Sequence, residues 1–301
     1  MGRTIRRRLV RRIAVTAATA ALAAACSAAP AAQPSRQTPP PAPAVVPVTA
    51  ARVDHVLPDD PTRMLFPTAG DETRWTQGLD AFAQQIAHAA AASCARRDGF
   101  ALPAELPPPA FIRLFELPDL DFVAQHGFSR SADVPMPPPG PGSATARPGD
   151  DAEIRRCQTE GGAAANTVRK PYTPLQQHWF QQLTTLRKDP ATLAAFADLP
   201  ACLAGQGVRA ESADDFFAQV DRRVQRAATE ADAGREDRTL GHAYATCMRP
   251  VEAVRVAARE RLRARFLTDH ATELRTLRQT LVPDLRAAEK RYGVVLSFPA
   301  P

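Results

Sequence analysis

The sequence of 301 residues predicts an all-α fold, an irregular helical bundle with a long terminal helix. Three observations support this class. Apolar residues recur at steps of three and four in successive segments, several of these segments begin at a helix-capping residue, and a long apolar stripe runs through the last fifth of the chain. A signal peptide and a disordered Pro/Ala-rich tether are expected to precede the bundle.

The first predicted helix lies in "TRWTQGLDAFAQQIAHAAAASC". Trp75, Leu79, Phe82 and Ile86 follow one another at steps of four, three and four, so they share one helical face. Gly99 comes soon afterwards and can end the helix.

Three further helices are predicted from their first residues. Thr173 stands before Pro174, Asp189 stands before Pro190, and Ser212 stands before "ADDFFAQVDRRVQR", each being a capping residue ahead of a good first turn. The second of these helices is expected to end near Cys202. The residues expected to face inward are Leu175, Trp179, Leu183 and Leu186, then Leu193 and Phe196, then Phe216, Phe217, Val220 and Val224.

The last helical region extends from about Arg238 to Tyr292. Its apolar stripe predicts packing along a neighbouring helix, and Pro250 and Pro283 are expected to kink or break it. The stripe consists of Val251, Val254, Leu262, Phe266, Leu274, Leu277, Leu281 and Leu285.

The N-terminus has the pattern of an export signal. Six arginines precede the apolar run "IAVTAATAALAAAC", which ends at Cys26 and is shorter than the roughly 20 residues that span a bilayer. "LAAAC" resembles the lipobox of bacterial lipoproteins, in which the cysteine receives diacylglycerol, although Ala23 stands where the family usually has Leu. We therefore expect residues 1–26 to form a lipoprotein-type signal peptide that ends at the lipobox cysteine. Cys26 would then carry the lipid and become the new N-terminus. An ordinary secretory cut, giving a secreted protein, is the alternative.

The charge of the chain excludes one function class. The formal net charge is +6, and residues 1–26 contain six arginines and no acid, so the remainder is neutral. A basic surface for nucleic acid is therefore not predicted.

Two segments have the composition of disordered chain. Residues 27–68 are expected to form a tether, because their Ala, Pro and small polar residues bury too little apolar surface. A Pro/Gly-rich loop is expected at about residues 131–151. The remaining residues, 69–301, make up the predicted helical domain.

Four cysteines remain beyond Cys26, an even number that predicts two disulfides in an exported protein. Three connectivities are possible. Cys94 and Cys202 each begin a Cys-x4-Gly-apolar pattern, and read as a repeat this pairs Cys94 with Cys157 and Cys202 with Cys247. His242 lies five residues before Cys247, about 140° away around a helix, so the pair is neither a metal site nor a nucleophile with its base. No metal or cofactor is expected.

Several stretches resemble uncharacterised lipoproteins of high-GC Gram-positive bacteria. They are the sequence around Cys94, "HGFS" after "LPDLDFVAQ", "YATCMRPVEAVR" and the terminal "RYGV". The resemblance implies an envelope location and disulfide bonds, and it implies no activity.

One stretch offers a catalytic alternative. "LPDLDFVAQHGFS" places Asp119, Asp121, His126 and Ser129 together, as in a hydrolase. The competing interpretation is that an aspartate caps a short helix bearing Phe122 and Val123, which Gly127 ends.

A row of arginines offers a binding alternative. Arg255, Arg259 and Arg263 are spaced by fours, a pattern that suits an anionic envelope polymer or lipid head groups. The competing interpretation is a solvated helix face with Glu252 and Glu260 as local partners.

Together these patterns predict a lipid-anchored, non-enzymatic binding or interaction module on the outer face of the cell membrane. Its expected partners are the membrane, through the lipid, and an anionic envelope polymer or another envelope protein. An exported hydrolase using Asp119 to Ser129 is the alternative function.

Overall fold

The computed structural model describes residues 53–102, 116–128 and 147–299, and in this part of the chain it confirms the all-α class. The helices there are α1 (Thr73–Arg97), α2 (Leu120–His126), α3 (Asp151–Arg169), α4 (Thr173–Leu183), α5 (Pro190–Phe196), α6 (Leu199–Gly205), α7 (Ala213–Arg226), α8 (Glu230–Asp269) and α9 (Ala271–Tyr292). Two short strand pairs accompany them. β1 (Val53–Asp54) lies antiparallel to β4 (Phe298–Pro299), and β2 (Phe100–Ala101) lies parallel to β3 (Arg147–Pro148).

Side-chain caps start three of the helices as predicted. The carboxylate of Asp119 accepts from the Phe122 amide at the start of α2, at 3.1 Å, and that of Asp189 accepts from the Thr192 amide at the start of α5, at 2.8 Å. The Ser212 hydroxyl caps α7. Thr173 behaves differently, because it is the first residue of α4 and its hydroxyl donates to the Arg169 carbonyl.

Two helix boundaries differ from the prediction. The helix that begins at Pro190 ends at Phe196, and Cys202 lies in the separate helix α6. Helix α3 was not predicted, because its apolar residues are mostly alanines. Asp150 and Glu153 start α3 with reciprocal side-chain to backbone bonds, a capping box.

Pro250 and Pro283 were expected to kink or break the last helical region, but neither proline interrupts its helix. Helix α8 continues through Pro250, α9 continues through Pro283, and the chain turns at His270 between them. Both prolines lie on exposed faces, as do Thr246 and Gln279, whose carbonyls lose their usual amide donors. Water can satisfy those carbonyls, while the buried faces of both helices remain packed.

Helix α8 connects the two main hydrophobic clusters. At 40 residues it is about 60 Å long. Its first half packs with α2, α6 and α7 around Phe216, Tyr244 and Met248. Its second half packs with α1, α4 and α9, and that cluster includes Trp179 and Phe266.

The two disulfides lie in different parts of this framework. Cys94 of α1 bonds Cys157 of α3, with Cα atoms 5.4 Å apart, and Cys202 of α6 bonds Cys247 of α8, with Cα atoms 5.6 Å apart. These are the pairs that the repeat interpretation favoured. Each joins two helices that also pack against each other.

Helices α2 and α8 approach each other closely at Gly241. A Cβ at this position would lie 2.3 Å from the Val123 carbonyl oxygen and 2.9 Å from the Cα of Gly127. Only glycine therefore lets the two backbones meet at this distance.

The end of the predicted tether belongs to the folded part of the chain. Met64, Leu65 and Phe66 are completely buried, whereas residues up to 68 were expected to be disordered. Contacts with α1, α8 and α9 bury this short apolar run, and the composition of the segment does not reveal such contacts. Cys26, residues 27–52 and most of the loop predicted at 131–151 lie outside the described residues; Arg147 and Pro148 form β3, and Asp151 begins α3.

Within the described residues, no helix combines the length and the apolar character needed to cross a membrane.

Candidate binding pocket

The arginine row of α8, defined as Arg255, Arg259 and Arg263, is buried. The three residues are only 6%, 1% and 6% exposed. The face is not solvated, so the guanidinium groups are not exposed to an anionic polymer, but Glu252 is the local partner that the competing interpretation named. The spacing of four residues correctly placed the three arginines on one helical face. That face packs against the two segments that directly precede α1 and α2.

Each guanidinium of the row donates to a carbonyl outside regular structure. Arg263 donates to the Phe66 oxygen at 3.1 Å, and Arg259 donates to the Thr68 oxygen at 3.1 Å. Arg255 donates to the Glu116 oxygen, also at 3.1 Å. The row therefore satisfies backbone oxygens that no helix or sheet satisfies, which is the requirement for burying irregular chain.

Carboxylates neutralise the row. Glu252 lies one turn before Arg255 and accepts from both Arg255 and Arg259. Burial lowers the pKa of Arg259, and the hydrogen bond that Arg259 donates to Glu252 partly opposes that effect. At the other end of the row, Asp60 accepts from Arg263 at 2.7 Å. Burial alone would raise the pKa of Asp60, but bonds from Arg263 and Thr62 outweigh it, so the pKa is lowered.

A cavity of about 300 Å³ lies beside the Arg255 end of the row. Its walls come from the segment at residue 116, the turn before α5, α5 itself, the first turn of α7 and the middle of α8. Because Thr192 of α5 is one of its lining residues, we name it the Thr192 pocket.

Aromatic rings form the apolar walls of the Thr192 pocket. Phe196 comes from α5, Phe217 from α7 and Tyr244 from α8. The Tyr244 ring stacks on Phe216 at 5.3 Å and lies 5.2 Å from Phe217, so the hydrophobic cluster behind it fixes its position. The guanidinium carbon of Arg255 lies 5.5 Å from the centre of the Phe196 ring, a cation–π contact.

Two residues that carry hydroxyls, Thr192 and Tyr244, line the pocket. Thr192 is 2% exposed, and hydrogen bonds from its backbone amide and its side chain lower the pKa of Asp189. Burial raises the pKa of Tyr244, whose phenol lies within electrostatic range of Arg255 and Glu252, so this hydroxyl stays protonated.

Glu116 lies between two arginines at the polar end of the pocket. Its carboxylate accepts from Arg255 at 3.2 Å and also from Arg187, whose side chain is 64% exposed. Asp214, in the first turn of α7, is exposed at the same pocket. The charged lining residues thus carry two positive and two negative charges.

Of the predicted hydrolase group, the structure describes Asp119, Asp121 and His126, and each of the two aspartates has another partner. Asp119 caps α2 and forms a two-point ion pair with Arg74, with bonds of 2.5 and 2.8 Å. Asp121 is exposed and pairs with Arg249, and the His126 ring lies against Phe122 at 4.6 Å. Asp121 and His126 are five residues apart on α2, about 140° around the helix, so they face apart. Ser129 lies outside the described residues.

The structure separates His242 from Cys247. His242 is exposed, whereas Cys247 is 3% exposed and bonded to Cys202. Among the described residues, one group of potential metal ligands lies close together, namely Cys94, Asp98 and Cys157. Both of its sulfurs belong to the other disulfide, so neither is a thiolate that could bind a metal ion.

Sequence analysis did not find the Thr192 pocket. Thr192, Arg187 and Glu116 belong to no motif, and Phe196 and Phe217 were expected only as core residues. The lining residues come from segments up to 139 positions apart, because Glu116 meets Arg255. No local pattern in the sequence signals such an encounter.

No family model matches the chain, and neither a curated protein nor a solved structure matches it with significance.

Proposed function

We propose that the chain is a lipid-anchored, non-enzymatic binding protein of the cell envelope whose helical domain holds a small ligand in the Thr192 pocket. The observation that carries the proposal is a cavity of about 300 Å³ with aromatic walls from α5, α7 and α8 and the Arg255–Glu116 ion pair at its polar end. A cavity of this volume is at the lower end of the range for small-molecule sites.

The walls of the pocket support the binding of a small molecule. Phe196, Phe217 and Tyr244 contribute aromatic surface from three helices, and the Arg255–Glu116 ion pair lies at the polar end. A mostly apolar cleft with a few polar groups is the usual lining of a small-molecule site.

The lining favours binding over catalysis. The described residues that line the pocket include no cysteine, serine or histidine, which are the usual nucleophiles and bases. Its half-buried carboxylate, Glu116, already accepts hydrogen bonds from Arg187 and Arg255. The hydrolase alternative gains no support from α2, where Asp119 is committed to a cap and an ion pair.

The envelope location rests on the sequence. The arginine-rich start, the apolar run and "LAAAC" support lipid attachment at Cys26, and the resemblance to lipoproteins supports the same location. The disulfides Cys94–Cys157 and Cys202–Cys247 are consistent with an oxidising compartment.

Mass spectrometry of the mature N-terminus tests the anchor. We expect a first residue Cys26 that carries diacylglycerol. An unmodified Cys26, or a cut at another site, would remove the anchor and leave a secreted protein. The binding function of the pocket would be unaffected by that result.

Replacing each of two alanines with phenylalanine tests the pocket. Ala213→Phe, at the first residue of α7, places a ring in the cavity, whereas Ala194→Phe adds the same ring on the exposed side of α5. A small-fragment screen by ligand-observed NMR on the purified full chain should give binders that Ala213→Phe abolishes and Ala194→Phe retains. If no fragment depends on residue 213, the pocket is not a binding site.

A further inference from the structure

Helix α9 presents a basic face to the outside of the fold. Three exposed residues form this basic face: Arg275, Arg286 and Lys290. They lie within about 60° of one another around the helix, opposite the buried Leu277 and Leu281. The exposed acids of α9, Glu273 and Asp284, lie about 100° or more around the helix from all three. Positive charge is therefore concentrated on one side of α9.

An acid next to the basic face is turned towards the fold. The side chain of Glu289 is only 14% exposed, and its carboxylate accepts from the Leu296 amide at 2.8 Å. Glu289 also accepts from Arg286 at 2.8 Å, and this pair is exposed on the arginine side. Arg275 and Lys290 have no carboxylate partner among the described residues. At least two cations of the basic face are therefore available to an anionic surface.

Two exposed valines lie at the C-terminal end of α9. Val56 is 67% exposed and Val295 is 58% exposed. The Nδ1 atom of His55 lies 3.0 Å from the Leu296 carbonyl oxygen, so the residues next to these two, Val56 and Val295, lie close together. Asp54 is the exposed acid of this strand pair, and its carboxylate already accepts from the amides of His55 and Val56. The basic face thus ends at a small aliphatic patch.

The chain that leads from Cys26 joins the described residues at the same end of α9. Val53 begins β1, which pairs with β4. Leu296 lies two residues before β4, and its amide donates to Glu289 of α9. A lipid at Cys26 would therefore be connected, through residues 27–52, to the end of the domain that carries the two valines.

We propose that the basic face of α9, together with Val56 and Val295, docks on the anionic phospholipid surface of the membrane. Lys and Arg gain energy beside anionic head groups, and exposed aliphatic side chains gain energy at the boundary with the acyl chains. A soluble anionic polymer would satisfy the cations but would leave the valines in water. The docking surface lies outside the Thr192 pocket, so this proposal does not depend on the ligand-binding function.

A tryptophan in place of each of two exposed aliphatic residues tests the contact. Val295→Trp reports on the docking surface, and Leu193→Trp is the matched control, because Leu193 is 56% exposed on α5. The purified full chain is mixed with brominated vesicles of phosphatidylcholine alone or of equimolar phosphatidylcholine and phosphatidylglycerol. We expect the anionic vesicles to shift the Val295→Trp emission to shorter wavelength and to quench it. Leu193→Trp should behave as the parent, whose Trp75 and Trp179 both variants retain.

Charge removal in the Val295→Trp chain tests the basic face. Changing Arg275, Arg286 and Lys290 to Gln should raise the lipid concentration for half-maximal quenching about tenfold or more. The matched control removes three exposed arginines of α7: Arg222, Arg223 and Arg226. It should change that concentration less than about twofold.

The readout is local, so it does not depend on whether Cys26 carries a lipid. An unquenched Val295→Trp chain, or equal quenching of Leu193→Trp, would overturn the docking surface. Equal losses for the α7 and α9 charge variants would overturn the role of the basic face. Binding to dextran sulfate that the α9 variant loses, with Val295→Trp unquenched by vesicles, would assign the face to a polymer instead. Each of these results leaves the Thr192 pocket to its own fragment screen.

Discussion

The guanidinium of Arg259 donates to both carboxylate oxygens of Glu252, seven residues earlier on the same helix, at 2.7 and 3.2 Å. Both side chains are buried, and Glu252 also accepts from Arg255. One carboxylate thus accepts hydrogen bonds from two of the three arginines that hold the irregular chain before α1 and α2 against α8.

Glu252→Gln should destabilise the fold strongly. The substitution keeps the shape of the side chain but leaves Arg255 and Arg259 short of a buried counter-charge, which costs about 3–5 kcal/mol. Glu236→Gln is the control on the same helix, since Glu236 forms an exposed pair with Arg223 and should cost about 0–1 kcal/mol. Urea denaturation measures both free energies of unfolding. Equal losses for the two variants would show that the buried network is not important for stability.

Loss of the Cys202–Cys247 disulfide should also weaken the fold. The bond closes a loop of 45 residues, so replacing both cysteines with serine should lower the free energy of unfolding by about 4 kcal/mol on the chain-entropy account. Thiol titration of the denatured, unreduced protein should find no free thiol among Cys94, Cys157, Cys202 and Cys247. A free thiol at Cys247 would reopen the possibility that it is a nucleophile.

Two glycine substitutions should have opposite effects. Gly241→Ala places a methyl group 2.3 Å from the Val123 carbonyl oxygen, so α2 and α8 must move apart at a cost of about 1–3 kcal/mol. Gly162→Ala, within α3, meets open space and should stabilise the helix by about 0.5–1 kcal/mol. Thermal unfolding of both variants measures the contrast. A harmless Gly241→Ala would mean that α2 does not lie this close to α8.

Tyr172 should affect stability at high pH. Burial raises its pKa from 10.0 to about 12, with Arg169 opposing the rise and Asp80 adding to it. Because the folded pKa lies above the unfolded one, the contribution to stability is complete below pH 10 and is lost as pH rises through about 12. Tyr172→Phe removes the ionising group, so its loss of stability over this range should be smaller than that of the parent.

Denaturation at several pH values, with Tyr292→Phe as control, measures this difference. Tyr172→Phe should be neutral or slightly stabilising at pH 7, because the Tyr172 hydroxyl is buried without a hydrogen bond within the described residues. The same alkaline loss in Tyr172→Phe and the parent would show that Tyr172 does not ionise on this scale.

The local sequence of the chain determined where three of the helices begin. Asp119, Asp189 and Ser212 cap their helices because a capping side chain needs only its own next three residues. The even number of cysteines beyond Cys26 also predicted two disulfides. Boundaries that depend on distant packing were harder to predict, as the continuous helix through Pro250 shows.

Only the tertiary structure decided what the arginine row does and where the pocket lies. A spacing of four places Arg255, Arg259 and Arg263 on one face of a helix, but the same spacing suits a solvated face and a buried one. The decision depends on the carbonyls of Phe66, Thr68 and Glu116, which reach the row from well over a hundred residues away. The Thr192 pocket has the same physical origin, because its walls meet only after the chain has folded.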